Sequence, residues 1–164
     1  MNVAFLLIGG NLGKREENLQ TAKSLIQQYC GKITKSSSLY ETAAWGKTDQ
    51  PAFLNQALQI ETRLTAEELM REILVLEKIM GRERKERYGP RIVDIDILLF
   101  NDAQYDSSFL KIPHPEMQNR LFALIPLAEI APTIHHPVFK KTISQLLKET
   151  SDKLEVRKYT GVRE

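Results

Sequence analysis

Apolar residues along the chain follow two different spacings, and each spacing predicts a different kind of element. The short apolar run at 3–8 predicts a buried strand, whereas apolar residues three or four positions apart, such as Leu19, Ala22 and Ile26, predict a helix. The same reasoning predicts strands at 1–8, 36–44, 53–64 and 92–100, and helices at about 15–30, 65–80, 119–130 and 142–149. Residues 9–13 are expected to form a turn, and residues 101–112 a turn with a short return strand.

Local signals indicate where the helices begin and end. Thr65 followed by Glu68 is a capping box, in which each side chain can accept a hydrogen bond from the other residue's backbone N–H. Gly81 ends the second helix, and Pro132 follows the third. The order of elements is β-α-β-β-α-β followed by an addition, which is the split βαβ, ferredoxin-like pattern. We therefore expect an α+β fold with two helices packed on one face of a four-stranded antiparallel sheet, in a single domain over residues 1–164.

The composition is that of a globular protein, with 42% hydrophobic and 27% charged residues among 164. The single Cys30 excludes an internal disulfide and a four-cysteine zinc site, and it suits a reducing, cytosolic compartment. No apolar run is long enough for a membrane helix, and we expect no targeting segment. The net charge of +2 does not by itself indicate nucleic acid or a membrane as a partner. We expect a cytoplasmic monomer that binds neither nucleic acid nor a membrane.

Two acids interrupt the most apolar of the predicted strands. Asp94 and Asp96 are two residues apart, so their side chains are expected on one face of the strand, with Cα atoms about 6.6 Å apart. Neighbouring carboxylates repel each other, and burial raises their pKa values, unless a divalent cation lies between them. Magnesium prefers oxygen ligands and commonly takes one or two carboxylates together with substrate phosphates. The pair predicts a metal site, although two aspartates on a solvated face give the same pattern.

A basic segment directly precedes these acids. Residues 82–91 carry a net charge of +3, which leaves −1 for the rest of the chain. Its basic residues are Arg82, Arg84, Lys85, Arg87 and Arg91. Phosphoryl transfer uses a metal and cationic side chains together, because both stabilise charge on phosphate oxygens. The segment is expected to bind an anion, although most charge runs are simply solvated loops.

Two further groups of residues could belong to the same site. His114 and Arg120 lie near the expected start of the third helix, where an arginine and a helix N-terminus both attract anions. Residues 40–45 and 53–55 combine aromatic side chains with an amide, which can hold a flat heterocycle. A structural histidine and ordinary core packing are the alternative interpretations. His135 and His136 are expected at the surface, since adjacent residues of a strand point apart.

Four blocks, 8–12, 40–55, 81–100 and 113–122, keep an order and spacing typical of one known family. The most specific piece is Gly89-Pro90-Arg91 followed by Asp94-Ile95-Asp96, and Pro113-His114 with Asn119-Arg120 supports it. Together the blocks resemble the 6-hydroxymethyl-7,8-dihydropterin pyrophosphokinase family of folate biosynthesis. The resemblance implies a three-layer αβα, ferredoxin-like fold. It also implies transfer of pyrophosphate from ATP to the hydroxymethyl group of the pterin, with release of AMP.

The resemblance further implies roles for individual residues. Asp94 and Asp96 would hold two magnesium ions, while Arg82 and Arg91 would act on the phosphates. The implied ATP site also contains Glu77, Arg84, Lys85, His114 and Arg120. The implied pterin pocket consists of Thr42, Ala43, Trp45, Phe53, Asn55, Tyr88 and Phe122. Asn55 would bind the polar edge of the ring between Phe53 and Phe122, and Tyr88 stands where the family often has tryptophan.

Two alternative functions are considered beside this one. A ferredoxin-like RNA-binding module would stack bases on aromatic residues of the sheet, but the strand at 92–100 carries two acids that would repel RNA phosphates. A metal-dependent nucleotidyltransferase also uses paired aspartates. It differs in its leaving group, which is pyrophosphate instead of AMP.

Overall fold

The computed structural model describes residues 1–43, 50–81 and 92–161. Six of the residues with predicted roles lie outside these ranges, and their roles stay predictions: Trp45, Arg82, Arg84, Lys85, Tyr88 and Arg91. The other ten lie within them.

An antiparallel sheet of six strands, two more than the predicted four, forms the centre of the fold. The strands of the described ranges are β1 (Asn2–Gly10), β2 (Lys32–Ser36), β3 (Tyr40–Thr42), β4 (Phe53–Thr62), β5 (Asp94–Phe100), β6 (Tyr105–Asp106), β7 (Lys111–Ile112) and β8 (Val156–Lys158). The main sheet has the order β5-β1-β4-β3-β8, and β2 also pairs with β4. The remaining two strands, β6 and β7, pair with each other in a separate two-stranded sheet.

Helices cover both faces of this sheet. They are α1 (Arg15–Tyr29), α2 (Ala66–Ile79), α3 (Leu121–Ile130) and α4 (Ile143–Glu149), and a 3-10 turn at Met117–Asn119 precedes α3. One buried cluster joins α1 and α2 to alternate residues of the central strands, such as Leu6 and Ile95. A second cluster joins α3 and α4 to residues of the opposite face, such as Leu7 and Leu98. We call these the closed face and the open face, because the second borders the cavity described below.

The four predicted helices are confirmed, with ends displaced by no more than two residues. The capping box of α2 is formed in both directions. The backbone N–H of Glu68 donates to Thr65 Oγ1 over 3.1 Å, and the backbone N–H of Thr65 donates to Glu68 Oε1 over 2.8 Å. The start of α3 shifts to Leu121 because the residues before it form the 3-10 turn.

The predicted continuous strand at 36–44 is wrong. β2 begins earlier, at Lys32, and a break at 37–39 separates it from β3. At this break the Ser37 side chain replaces a backbone acceptor. The N–H of Ala57 donates to Ser37 Oγ over 2.9 Å, and the N–H of Ser37 donates to the Ala57 carbonyl over 2.9 Å. The chain therefore leaves the regular ladder and rejoins it at Tyr40.

The C-terminal part differs most from the sequence-based predictions. His136 is buried at 2% exposure, and its Nδ1 accepts hydrogen bonds from the N–H groups of Val138 and Phe139, both over 3.2 Å. The surface prediction is therefore wrong for His136, while His135 is exposed. The strand β8 was not predicted, and it extends the sheet beside β3. Within the described ranges, no helix has the length and apolar character needed to span a bilayer.

Candidate active site

Polar residues of the open face lie side by side at one end of the sheet. Gly9 of β1 pairs with Asn55 of β4 on one side and with Asp94 of β5 on the other. Two residues along β1, Leu7 pairs with Asp96. Neighbouring strands are about 4.8 Å apart, so the Cα atoms of Asn55 and Asp94 are separated by roughly 10 Å. The sheet thus holds an amide and two carboxylates at a fixed separation.

Asn55, Gly9 and Asp94 form a row across three neighbouring strands, and this row borders a cavity of about 320 Å³. Nine of the ten described residues with predicted roles line it: Thr42, Ala43, Phe53, Asn55, Asp94, Asp96, His114, Arg120 and Phe122. They come from β3, β4, β5, the segment that follows β7, and the start of α3. Residues far apart in sequence therefore meet around one space.

One end of the cavity is aromatic and contains a buried hydroxyl. Phe53 pairs with Thr42 across β4 and β3, and Phe122 lies in the first turn of α3. The Thr42 Oγ1 atom is buried and has no hydrogen-bond partner. A buried polar group without a partner is unfavourable by about 1–3 kcal/mol. A polar ligand that approached Thr42 would remove this penalty.

Gly9 lines the cavity, although no role was predicted for it. The predicted turn at 9–13 is wrong for Gly9 and Gly10, because both belong to β1. A Cβ atom at Gly9 would lie 2.0 Å from Asn55 Oδ1 and 3.1 Å from the Leu54 carbonyl oxygen. Any other residue would therefore displace the Asn55 amide. The alternation of β1, continued for two more residues, was the signal that could have placed Gly9 on the open face.

Asp94 and Asp96 both line the cavity, as the spacing of two on a strand requires. Within the described ranges, no three His, Cys, Asp or Glu side chains form a cluster that could hold a metal. A cation here would thus meet two carboxylates from this part of the chain. That donor set fits magnesium, which combines one or two carboxylates with water and substrate phosphates.

His114 borders the cavity as a neutral ring. Its backbone N–H donates to the Leu98 carbonyl over 3.0 Å, which fixes the segment against β5. Burial lowers the pKa of His114 below its usual 6.5, and the positive charge of Arg120 lowers it further, against a smaller opposing effect of Glu116. Nδ1 accepts the N–H of Glu116 over 3.1 Å, so the ring proton resides on Nε2. His114 can therefore act as a hydrogen-bond donor through Nε2.

Arg120 and Phe122 flank the first residue of α3. The Arg120 guanidinium lies over the ring of Phe122, 5.7 Å from its centroid. Both side chains line the cavity, so a permanent cation borders the same space as the aromatic rings and the two carboxylates. This arrangement is suited to an anionic group attached to, or adjacent to, a flat ring.

Glu77 is the one described residue with a predicted role that does not line this cavity. It is buried at 5% exposure on α2, and its Oε2 accepts the backbone N–H of Ile95 over 2.7 Å. Ile95 lies between the two aspartates in sequence. Glu77, on the closed face, therefore supports the strand that carries both aspartates. Its predicted contact with ATP stays a prediction.

Comparison with known proteins gives consistent matches. Residues 5–132 match the model of the family described as 7,8-dihydro-6-hydroxymethylpterin-pyrophosphokinase (HPPK). The 2-amino-4-hydroxy-6-hydroxymethyldihydropteridine pyrophosphokinase of Bacillus subtilis (strain 168) is 45% identical over 79% of this chain and 78% of its own length. The protein of the same name from Aquifex aeolicus is 37% identical over 92% of this chain and 94% of its own length.

A solved structure supports the fold. HPPK-DHPS from Plasmodium falciparum superimposes with a TM-score of 0.71 at 21% identity. The match covers 91% of this chain but spans only 43% of that longer chain. This similarity bears on the architecture of the sheet and helices.

Proposed function

The chain belongs to the 7,8-dihydro-6-hydroxymethylpterin-pyrophosphokinase family, whose members transfer pyrophosphate in folate biosynthesis, and we propose that the cavity on the open face is where this chain performs the transfer. The reaction moves pyrophosphate from ATP to the hydroxymethyl group of 6-hydroxymethyl-7,8-dihydropterin and releases AMP. The row Asn55–Gly9–Asp94 carries this proposal, because it joins a ring-binding amide to a metal-binding carboxylate within one cavity.

The aromatic end of the cavity takes the pterin. Phe53 and Phe122 pack on the two faces of the ring, and Asn55 forms hydrogen bonds with its polar edge. Thr42 and Ala43 border the same end, and the unpartnered Thr42 hydroxyl supports a polar ligand there. Trp45 and Tyr88 are assigned to this pocket by family resemblance alone. A two-ring heterocycle with a one-carbon arm spans much of the distance from Asn55 to Asp94.

The carboxylate end takes the triphosphate of ATP. Two magnesium ions are assigned to Asp94 and Asp96, and bound magnesium supplies positive charge to the phosphate oxygens. Arg120 and the Nε2–H of His114, which line the same cavity, donate to phosphate oxygens. The family resemblance adds further residues to the ATP site: Glu77, Arg82, Arg84, Lys85 and Arg91.

The chemistry is a direct displacement at phosphorus. The hydroxymethyl oxygen forms a bond to the β-phosphorus and its proton passes to solvent. The bond from that phosphorus to the α,β-bridging oxygen breaks, and AMP leaves with the bridging oxygen. The neutral His114 uses its Nδ1 to accept the Glu116 N–H, so it does not serve as a strong base. Positioning of the two substrates and neutralisation of phosphate charge therefore supply most of the rate.

The finer description of the fold is part of the same proposal. The order β5-β1-β4 followed by the β2 and β3 pairings, with every neighbour antiparallel, is the order expected for a ferredoxin-like split βαβ core. Residues 1–164 are assigned to one domain.

Product analysis tests the proposed function. The protein is incubated with MgATP and 6-hydroxymethyl-7,8-dihydropterin, and the nucleotides are separated by chromatography. We expect AMP and the pterin diphosphate in equal amounts, and no AMP when the pterin is omitted. Release of ADP would indicate transfer of a single phosphoryl group, and release of pyrophosphate would indicate nucleotidyl transfer. Either result, or no turnover, would contradict the proposal.

A further inference from the structure

The C-terminal segment, residues 150–161, contacts two walls of the cavity from outside. Its strand β8 pairs with β3 at Thr42↔Val156 and Tyr40↔Lys158, directly behind the wall formed by Thr42 and Ala43. The backbone N–H of Tyr159 donates to the Leu39 carbonyl over 2.8 Å and continues this pairing. The matched family region ends at residue 132, so this segment lies beyond it.

Asp152 links this segment to the start of α3. Its Oδ2 accepts the backbone N–H of Leu121 over 2.8 Å. The residue at the usual capping position of α3 is Arg120, whose side chain makes no capping hydrogen bond. The first N–H groups of a helix have no partner within the helix, so Asp152 satisfies one of them from a distance of 31 residues in sequence.

This hydrogen bond lies next to two residues that line the cavity. Leu121 stands between Arg120 and Phe122, and the Arg120 guanidinium lies over the Phe122 ring. Asp152 is itself fixed, because its Oδ1 accepts the N–H of Leu154 over 3.0 Å and its own N–H donates to Thr150 Oγ1 over 3.3 Å. The carboxylate therefore holds the backbone between these two residues at a defined place.

We propose that Asp152 is a positioning residue for pyrophosphate transfer: by accepting the Leu121 N–H, it fixes Arg120 against the phosphates and Phe122 against the pterin. This inference rests on the proposed function for the identity of the two ligands. The bond between the Asp152 carboxylate and the Leu121 N–H joins the C-terminal segment to α3, and it sets the angle of α3 relative to the sheet. Displacement of reacting groups by about 1 Å can lower a rate by roughly 100-fold.

The chain offers a matched control. Thr142 caps α4 with an equivalent bond, since its Oγ1 accepts the N–H of Gln145 over 3.1 Å. No residue of α4 lines the cavity. Asp152→Ala and Thr142→Ala therefore each remove one helix-capping bond, but only the first acts next to Arg120 and Phe122. Asp152→Asn keeps an oxygen acceptor at the same place and tests for rescue.

Steady-state kinetics for both substrates are measured for the four proteins, well below the unfolding midpoint of each. We expect Asp152→Ala to lower kcat/KM for the pterin by about tenfold or more, with a rise in KM for the pterin and a fall in kcat. Thr142→Ala should stay within about twofold of the unaltered protein, and Asp152→Asn should recover most of the loss. Equal effects of the two alanine variants, or no rescue by asparagine, would overturn the proposal.

Amide hydrogen exchange of residues 120–124 provides a readout that does not depend on turnover. Exchange at Leu121 should accelerate in Asp152→Ala and remain unchanged in Thr142→Ala, and unchanged exchange in Asp152→Ala would overturn the proposal. An unaltered protein that releases no AMP would contradict the proposed function. An active protein with an unaffected Asp152→Ala variant would contradict only the role of Asp152.

Discussion

The two faces of the central sheet are built from the same strands, yet they carry different chemistry. On the closed face, Leu6, Leu54 and Ile95 are buried under α1 and α2. One residue further along each strand, the open face presents Leu7, Asn55 and Asp96 to the cavity. Adjacent residues of one strand thus have different roles: one side chain stabilises the fold, and the next lines the cavity. The two sets should respond to substitution in opposite ways.

The largest effect is expected from a carboxylate of the open face. Asp96→Ala should lower turnover by about 100- to 1,000-fold or more, because a group that stabilises charge in the transition state commonly contributes this much. The free energy of unfolding should change by less than about 1 kcal/mol, since the side chain serves a ligand instead of the core. Single-turnover assays and urea unfolding measure the two quantities.

Asp102→Ala is the control for that experiment, because Asp102 is an exposed acid just past the end of β5. It should leave both turnover and stability near those of the unaltered protein. Turnover by Asp96→Ala within tenfold of normal would remove the metal assignment from the open face.

A residue of the closed face should show the opposite result. Leu6 is fully buried, so Leu6→Ala is expected to lower the free energy of unfolding by roughly 2–5 kcal/mol. Its KM values for both substrates should stay within about twofold when assays are run on the folded protein. A large change in KM without a loss of stability would show that the two faces do not act separately.

Gly9 lies on the open face and affects the site through its neighbour Asn55. Gly9→Ala would place a methyl group 2.0 Å from Asn55 Oδ1, so the amide must move. We expect KM for the pterin to rise about tenfold and KM for MgATP to change little, on the scale of about 1.4 kcal/mol per tenfold. In a double-mutant cycle, Gly9→Ala should have little further effect in an Asn55→Ala background. Additive effects of the two changes would contradict positioning through Asn55.

The smallest expected effect is a loss of stability in mild acid, and it arises outside the closed face. Burial lowers the pKa of both His114 and His136 below 6.5, and α1, α2 and the main sheet contain no histidine. The unfolded chain binds protons near pH 6.5, whereas the folded chain binds them only at lower pH. The stability that the neutral rings provide is therefore present above pH 6.5 and is lost as the pH falls below it.

Urea unfolding at pH 7.5 and pH 5.5 measures this loss. His136→Asn keeps an acceptor for the Val138 and Phe139 N–H groups but cannot be protonated in this range. We expect a smaller difference between the two pH values in this variant than in the unaltered protein. An identical difference in both proteins would show that His136 does not contribute.

The sequence predicted the helices well because their signals are local. The capping pair Thr65 and Glu68 and the spacing of Leu69, Ile73 and Leu76 are sufficient to define α2. The break at Ser37 could not be predicted, because it depends on a hydrogen bond to Ala57 across the sheet. The burial of His136 likewise depends on packing against Phe139 and on the fold of the C-terminal part.

The candidate site was predictable where chemistry and strand periodicity coincide. Asp94 and Asp96 were placed on one face by their spacing, and family resemblance supplied Thr42 and Phe122, which line the same cavity. Gly9 was missed because glycine more often indicates a turn than a close approach between strands. Asp152 was missed because its partner lies 31 residues away and the bond is formed only in the folded chain.

The location of the ligands tests the central claim most directly. A crystal structure of the protein with the pterin, magnesium and a non-transferable ATP analogue would show which face binds them. We predict the pterin between Phe53 and Phe122 with its polar edge at Asn55, and magnesium about 2.0–2.1 Å from oxygens of Asp94 and Asp96. Pterin or metal bound away from the row Asn55–Gly9–Asp94 would contradict the account.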